Sequence, residues 1–283
     1  MRVSVVTHPR APVTSAHLKQ VIAVARQAGV LLRFDANETR KHGLAPAKGL
    51  ELDAPWSPDV DLCAVLGGDG TILNALRQYA DTGVPIFAVN FGLVGFLATI
   101  IEPDAMARDL QQAFRGEFDT FNLPSITVGR PQGMWTAFND VSVHRKPGLP
   151  VARLAYAMSG EEVGSVRCDG LVVSTPQGST GYNLANGGPV LAWGVEGFVV
   201  SFIAPHSLTA RALVVAPQDH MTINNASRTG DPVDVHVDGQ PACEIPAGED
   251  ANVEFARSRS VLAQLPGATF YHRLRERFGR LAT

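Results

Sequence analysis

The sequence has few cysteines, no long apolar run and little net charge. Its three cysteines, Cys63, Cys168 and Cys243, are far apart and include no Cys-x-x-Cys pair, so neither a disulfide framework nor a zinc site is indicated. The formal net charge of −3 argues against a nucleic-acid-binding surface. No apolar run of 18 residues is present to cross a bilayer. The composition is that of a soluble globular protein without a membrane or nucleic-acid partner.

Several common sequence motifs are also missing. There is no GxxxxGK[ST] and no GxGxxG, which excludes a P-loop enzyme and the nucleotide binding of ordinary dehydrogenases. There is no GxSxG nucleophile elbow and no HExxH metalloprotease motif. The chain opens on a β-rich stretch instead of a signal peptide, and we therefore expect a cytoplasmic protein.

Residues 61–79 carry the strongest local signal in the chain. The apolar run Leu62–Leu66 predicts a strand that is buried on both faces of a parallel sheet. Three glycines follow within four positions, where they allow backbone conformations that a Cβ would forbid. Helical spacing then predicts a helix over Thr71–Tyr79, with the Thr71 hydroxyl as its cap. The free N–H groups at this helix start would suit a phosphate.

A single acid, Asp69, stands inside this glycine turn. A turn of this kind often only connects a strand to a helix. An aspartate in an anion-binding turn is unfavourable, however, unless it has a task such as holding Mg²⁺ or accepting a proton. We therefore favour a functional role for Asp69.

Strands and helices alternate over residues 1–116, which is typical of a doubly wound parallel sheet. The predicted strands are 2–7, 30–34, 62–66 and 84–89, and the predicted helices are 15–28, 71–79 and 102–115. Residues 36–59 are polar and are interrupted by proline and glycine, which predicts a loop.

The pattern changes after residue 117, where helical periodicity nearly disappears and short strands recur. The predicted strands are 125–128, 135–145, 153–158, 171–174, 198–202, 212–215, 221–224, 233–237 and 252–255. They predict an all-β, sandwich-like domain over 117–265. A helical segment within 266–283, at 271–278, closes the chain, and we expect it to pack back on the α/β domain of residues 1–116.

A second polar stretch extends from Arg167 to Pro189. It brings hydroxyls, an amide and an aromatic ring together after a strand, a mixture suited to holding a base, a ribose and a phosphate. Ser179 or Thr180 is the expected cap of a brief helix there. A hydrogen-bonded corner between strands is nearly as good an explanation, and the nearby Asp-Gly pairs are more often hairpin turns than sites.

In order along the chain, these motifs resemble those of the NAD kinase family. The matching segments are Gly67-Gly68-Asp69-Gly70-Thr71, Asn90–Leu97, Asn139-Asp140, residues 169–189, Pro205–Arg211, Asp238-Gly239-Gln240 and Tyr271–Phe278. A GGDG turn alone is weak, because lipid kinases and phosphofructokinases share it. The ordered set is specific.

The resemblance implies an α/β domain, a β-rich domain and Mg²⁺-dependent phosphorylation of the adenosine ribose 2′-OH of NAD by ATP or polyphosphate. It implies that Asp69 accepts the proton of that hydroxyl and that Gly67, Gly68, Gly70 and Thr71 hold the phosphates. Magnesium would arrive with the nucleotide. The NAD-binding residues implied, in addition to Asp69 and Gly70, are Asn139, Asp140, Arg153, Arg167, Asp169, Thr180, Gly181, Tyr182, Asn183, Leu184, Ala185 and Gln240. A homodimer or homotetramer is implied as well.

The chain departs from the family pattern at Gln177, Gly181, Ala185, Trp193 and Ala212, where the family usually has Thr, Ala, Ser, Pro and Pro. The missing serine hydroxyl at position 185 removes one contact worth about 1 kcal/mol. Two alternatives stay open at this point: a lipid kinase of the diacylglycerol or sphingosine type, and an NAD-binding regulatory protein with little catalytic activity.

Overall fold

The structure is a computed structural model that describes residues 1–89, 96–98, 103–267 and 269–279. The chain divides into two compact units, Met1–Asn122 with Ser260–Thr283, and Leu123–Arg259. The divisions predicted from the sequence lie after residues 116 and 265. Most of the predicted Asn90–Leu97 motif and the start of the predicted 102–115 helix lie outside the described residues.

The described α-helices differ in length from one turn to nearly four turns. They are α1 (Ser15–Ala28), α2 (Ala36–His42), α3 (Asp69–Gln78), α4 (Met106–Phe114), α5 (Tyr182–Ala185) and α6 (Phe270–Phe278). Three short 3₁₀ helices accompany them at Ala11–Val13, Pro103–Ala105 and Gln177–Thr180. Among the residues that the structure describes, no helix is both long enough and apolar enough to span a membrane.

The strands are concentrated in the second half of the chain. They are β1 (Arg2–Thr7), β2 (Leu31–Arg33), β3 (Leu50–Glu51), β4 (Leu62–Leu66), β5 (Pro85–Val89), β6 (Asp119–Arg130), β7 (Gly133–Ala137), β8 (Asp140–Arg145), β9 (Ala152–Met158), β10 (Glu161–Cys168), β11 (Gly170–Ser174), β12 (Phe198–Ile203), β13 (Leu213–Val215), β14 (Met221–Asn225), β15 (Val233–Val237), β16 (Gln240–Ile245) and β17 (Asp250–Gln264).

The first unit contains a parallel sheet with the strand order β3-β2-β1-β4-β5-β17. Alternate residues of β4 point to opposite faces of this sheet. One face packs against the apolar sides of α1 and α4 in a common hydrophobic core. All five residues of β4 are buried, as the apolar run predicts. The predicted doubly wound α/β fold is confirmed.

The predicted loop over 36–59 is wrong in part, because the structure has α2 and β3 there. Asp35 caps α2, its side chain accepting a hydrogen bond from the Glu38 N–H at 2.7 Å, and Gly43 ends the helix in the left-handed conformation. The Glu38 carboxylate is buried and accepts hydrogen bonds from the Thr7 N–H and the Lys41 ammonium, at 2.9 and 2.8 Å. A polar sequence can therefore form this helix because its buried contacts are polar too.

The predicted capping role of Thr71 is also wrong. Helix α3 begins two residues earlier, at Asp69, with Gly68 as the capping residue in an extended conformation. An acidic side chain is favourable in the first turn of a helix, because it faces the positive end of the helix dipole.

The second unit is a β-sandwich, and the predicted β-rich fold is confirmed. One sheet is antiparallel with the order β13-β12-β11-β8-β15-β16, and the other contains β10-β9-β14-β17 with β6 and β7. Apolar residues from both sheets, among them Val141, Val173, Val235, Leu154 and Ile223, form one hydrophobic core.

Several strand predictions in this unit need correction. The predicted 135–145 strand is two strands, β7 and β8, separated at residues 138–139. Strands β10 and β16 were missed because each is the edge strand of its sheet, and most of their residues are exposed or half-exposed instead of alternating. Neither Ser179 nor Thr180 caps α5, which begins after Gly181 without a side-chain cap.

Candidate active site

The glycine turn of the first unit follows the carboxyl end of β4, the edge where ligands bind in open α/β sheets. The Gly67 N–H donates to the Val89 carbonyl of the neighbouring strand at 2.9 Å. A Cβ on Gly67 would lie 2.5 Å from Oγ1 of Thr71, so only glycine fits against this buried threonine. The Thr71 side chain thus packs the turn against the helix, and the N–H groups of Thr71 and Ile72 both donate to the carbonyl of the capping residue Gly68, at 2.9 and 3.2 Å.

The Asp69 carboxyl is half-buried at the start of α3. Its Oδ1 atom is buried and has no hydrogen-bond partner among the residues that the structure describes. Burial raises the pKa of this carboxyl, while Arg277 and Arg273 of the same unit act in the opposite direction. A carboxylate with a raised pKa and an uncommitted oxygen is suited to accept a proton.

Described side chains form no metal-binding cluster: in no place do three or more His, Cys, Asp or Glu residues group to hold an ion. Magnesium commonly binds through substrate phosphates and water, with only one or two carboxylates from the protein. A magnesium ion that arrives with a nucleotide would therefore need no such cluster from the protein.

The second unit contains a cavity of about 710 Å³ over one face of its antiparallel sheet. Four of the predicted NAD-binding residues, Asn139, Asp140, Gly181 and Tyr182, line it. The other lining residues are Ser142, His144, Arg145, Pro147, Asp234, His236, Asp238 and Gly239.

Asp238 fixes the loop that carries Asn139 and Asp140. Its carboxylate accepts hydrogen bonds from the N–H groups of Phe138, Asn139 and Asp140, at 3.0, 2.6 and 3.1 Å. Asp238 and Gly239 also form the two-residue turn between β15 and β16, both with positive φ, at 47° and 75°. The Asp-Gly pair is therefore a hairpin turn and a support for the cavity at once.

The Asp140 carboxyl of this cavity has a strongly raised pKa. It is 8% exposed, and burial raises its pKa from the ordinary 3.8 to about 7, with a further contribution from the nearby Asp238 carboxylate. Near neutral pH this side chain is therefore present in both forms, and the neutral form can donate a hydrogen bond.

This shift predicts a pH-dependent contribution to stability. Between about pH 4 and pH 7 the folded protein keeps the Asp140 proton that the unfolded chain has lost, so the contribution of Asp140 to stability falls as the pH rises. Asp140→Asn cannot ionise, and we expect its melting temperature to rise relative to wild type from pH 5 to pH 8. If the melting temperatures of the two proteins change with pH in the same way across this range, the raised pKa of Asp140 is contradicted.

The segment after β11 packs closely under the same loop. Gln177 is buried, and its Nε2 donates to the carbonyls of Pro124 and Phe138 at 2.7 and 2.6 Å. A Cβ on Gly178 would lie 2.1 Å from the Asn139 carbonyl oxygen. The family departure at Gln177 therefore has a structural reason, because the longer amide reaches two backbone carbonyls.

Asp169 and Tyr182 are coupled electrostatically. Burial raises the pKa of the Tyr182 hydroxyl, and the Asp140 and Asp169 carboxylates raise it further. Arg145 Nε donates to Asp169 Oδ1 at 2.6 Å, and the Arg145 N–H donates to the Asp169 carbonyl at 3.0 Å. Arg145 thus connects Asp169 to the cavity, although Asp169 is not itself a lining residue.

The other predicted NAD-binding residues of this unit do not line the cavity. Arg153 and Arg167 are paired across β9 and β10, in the other sheet. Gln240 is exposed at the start of β16. Asn183 is buried, and its Nδ2 donates to the carbonyls of Ser179 and Pro189, both at 2.9 Å. Thr180, Leu184 and Ala185 flank Gly181 and Tyr182 without lining the cavity.

Of the cavity residues on β8 and β15, only Asp140 was predicted from the sequence; the residues not predicted are Ser142, His144, Arg145, Asp234 and His236. The polar positions 140, 142 and 144 alternate with valines, as do positions 234, 236 and 238. Such alternation places one set of side chains on the core face and the other on the opposite face. This signal was available, but it does not distinguish a cavity wall from a solvated face.

Two family models match the chain. The ATP-NAD kinase N-terminal domain matches residues 35–118, and the ATP-NAD kinase C-terminal domain matches residues 138–265. Among similar curated proteins, the NAD kinase of Gemmatimonas aurantiaca is 36% identical over 226 residues, which cover 78% of each chain. The NAD kinase of Lachnoclostridium phytofermentans is 34% identical over 231 residues, which cover 78% of this chain and 81% of its own.

Solved structures show the same fold. Yeast NADH kinase, crystallised with NADH, superimposes with a TM-score of 0.85 at 22% identity, covering 100% of this chain and 89% of its own. An NAD kinase from Archaeoglobus fulgidus in complex with ATP superimposes with a TM-score of 0.74 at 25% identity, covering 99% and 98%.

Proposed function

Because the chain belongs to the NAD kinase family of phosphotransferases, we propose that it transfers the γ-phosphoryl group of ATP to the adenosine ribose 2′-OH of NAD, giving NADP. The acceptor is thus an alcohol. Neither a lipid kinase nor an NAD-binding regulatory protein is supported by the proteins that this chain resembles.

The observation that carries the catalytic assignment is the position of Asp69. Its buried Oδ1 has no partner in the described part of the chain, and its pKa is raised by burial. In the proposed reaction Asp69 Oδ1 accepts the proton of the ribose 2′-OH while the 2′-oxygen forms a bond to the γ-phosphorus of ATP. The bond between the γ-phosphorus and the bridging oxygen breaks, and ADP leaves with its electron pair. Phosphoryl transfer asks the protein mainly for positioning and charge stabilisation, so one well-placed carboxylate is sufficient.

The phosphates of the donor are proposed to lie against Gly67, Gly68, Gly70 and Thr71. The positive end of the α3 dipole favours an anion at this helix start. Mg²⁺ or another divalent cation would neutralise part of the phosphate charge when it is bound with ATP.

The NAD is proposed to contact Asn139, Asp140, Gly181 and Tyr182, which share one cavity. Asp169 is proposed as a further contact, held through Arg145. For Arg153, Arg167, Thr180, Asn183, Leu184, Ala185 and Gln240, and for Asp69 and Gly70 as NAD contacts, the support is the motif resemblance alone.

The donor and the metal are tested together by assaying NADP formation with ATP or with polyphosphate, each with Mg²⁺ or with EDTA. We expect turnover with ATP and Mg²⁺, and at least about a hundredfold loss with EDTA, because magnesium stabilises the charge that develops on the phosphates. Turnover that persists unchanged in EDTA would contradict the metal requirement. Comparable turnover with polyphosphate would extend the donor range.

The assembly and the cellular location are part of the same proposal. We propose a homodimer or homotetramer, which the family resemblance implies, and a cytoplasmic location, which the sequence predicts. A light-scattering mass equal to one 30.2 kDa chain would contradict the oligomer.

A further inference from the structure

Two neighbouring strands place a row of polar side chains on the cavity face of the antiparallel sheet. Ser142 and His144 of β8 lie opposite His236 and Asp234 of β15, in that order. All four residues line the cavity. Ser142 is 2% exposed and the other three residues are half-buried, so this row forms a partly covered floor of the cavity.

The ring of Tyr182 packs against His144 of this floor. It begins α5, which is only four residues long and has no side-chain cap, so its own helix does little to hold the ring. The residue is 37% exposed. The His144 ring stacks against the Tyr182 ring with the centroids 5.8 Å apart and the planes inclined by only 16°. One face of the tyrosine ring is therefore partly covered by the imidazole in an offset stack.

His144 is itself fixed by two contacts. Its Nε2 lies 2.9 Å from the Ser142 hydroxyl, and its ring forms a T-shaped contact with the His236 ring, with the centroids 5.1 Å apart and the planes at 85°. Burial lowers the pKa of His144, and His236 lowers it further, while Asp234 acts in the opposite direction. A neutral imidazole held in this way is a rigid, planar support.

We propose that His144 is a positioning residue, which braces the Tyr182 ring so that its uncovered side can stack on one of the two planar rings of NAD. The proposal rests on the proposed function, because it requires Tyr182 to contact NAD. His144 acts through Tyr182 and touches no reacting atom. Stacking on a base is worth about 1–3 kcal/mol for an aromatic side chain, so a mobile Tyr182 would weaken NAD binding measurably.

The test compares steady-state kinetics of the full chain with four changes: His144→Ala, His144→Phe, Tyr182→Ala, and the His144→Ala/Tyr182→Ala double variant. The matched control is His220→Ala, which removes an exposed histidine of the same unit beside Glu254. The measured quantities are KM for NAD, KM for ATP, kcat and the melting temperature.

We expect His144→Ala to raise KM for NAD by about three- to tenfold, which corresponds to the stabilisation that one aromatic pair typically gives. The kcat and the KM for ATP should stay within about twofold of wild type. His144→Phe should restore KM for NAD to within about threefold of wild type, because a phenyl ring can still stack. Tyr182→Ala should raise KM for NAD by about tenfold or more. The double variant should match Tyr182→Ala alone, because the bracing residue has nothing left to brace.

Three results would overturn the inference in distinguishable ways. If Tyr182→Ala raises KM for NAD but His144→Ala behaves like His220→Ala, the bracing role fails and the NAD contact stands. If the two single effects multiply in the double variant, His144 acts independently of Tyr182 and the inference also fails. If Tyr182→Ala leaves KM for NAD unchanged, the proposed NAD contact itself is wrong. Should His144→Ala not fold, His144→Leu, which fills the space of the imidazole without a planar ring, takes its place in the same comparison, and a wild-type KM for NAD in that variant would overturn the inference.

Discussion

Asp69→Asn is expected to lower kcat by about 10²–10⁴-fold, the usual contribution of a general base. The asparagine keeps the size of the side chain and its place at the start of α3, but its amide cannot accept the proton of the ribose hydroxyl. The buried Oδ1, which has no partner among the described residues, is the atom whose function is removed. NAD affinity, measured by calorimetry, should stay within about threefold of wild type, because the change affects the reaction more than binding.

The matched control for this prediction is Asp104→Asn, an exposed aspartate in the first turn of another helical segment of the same unit. It should leave kcat unchanged. A near-normal kcat in Asp69→Asn would exclude Asp69 as the base. A loss of NAD binding together with kcat would make it a binding residue instead.

Asp238→Ala is expected to have the largest effect on the second unit. Its carboxylate accepts hydrogen bonds from three consecutive backbone N–H groups, and hydrogen bonds to charged groups are worth about 1.5–3 kcal/mol each. Without it, the loop that carries Asn139 and Asp140 loses its anchor. We expect the melting temperature to fall by about 10–20 °C and KM for NAD to rise at least about tenfold.

Asp238→Asn should give an intermediate result, because the amide keeps one acceptor oxygen. The matched control is Asp250→Ala, an exposed aspartate of the same unit whose carboxylate accepts one side-chain hydrogen bond, from Asn224 at 2.7 Å. If Asp238→Ala melts and binds NAD like Asp250→Ala, the carboxylate does not hold the loop.

Residues with one strong local reason for their conformation were predictable from the sequence. The buried strand Leu62–Leu66, the helix Ser15–Ala28 and its terminal Gly29 were all found with their observed bounds. The glycine turn was also predicted, because its glycines are a local signal, and the structure shows that only glycine fits against Thr71 at position 67. The resemblance then supplied the family from the order of the motifs, and the comparisons confirm it.

Features that depend on tertiary partners were not predictable. Helix α2 has no apolar stripe because the groups that bury its Glu38 are polar. The support given by Asp238 to residues 138–140 joins positions about a hundred residues apart in the sequence. The stacking of His144 on Tyr182 likewise needs β8 and α5 to be placed in space before it can be seen. A single sequence contains no local signal for such pairs.

The most direct test of the account is the position of the new phosphate in the product. Purified protein is incubated with NAD, ATP and Mg²⁺, and the product is offered to a dehydrogenase that accepts NADP but not NAD. We predict a signal from wild type that disappears in Asp69→Asn and persists in Asp104→Asn. Measurable NAD binding without any NADP from ATP or polyphosphate would contradict the account, as would NADP formation that does not depend on Asp69.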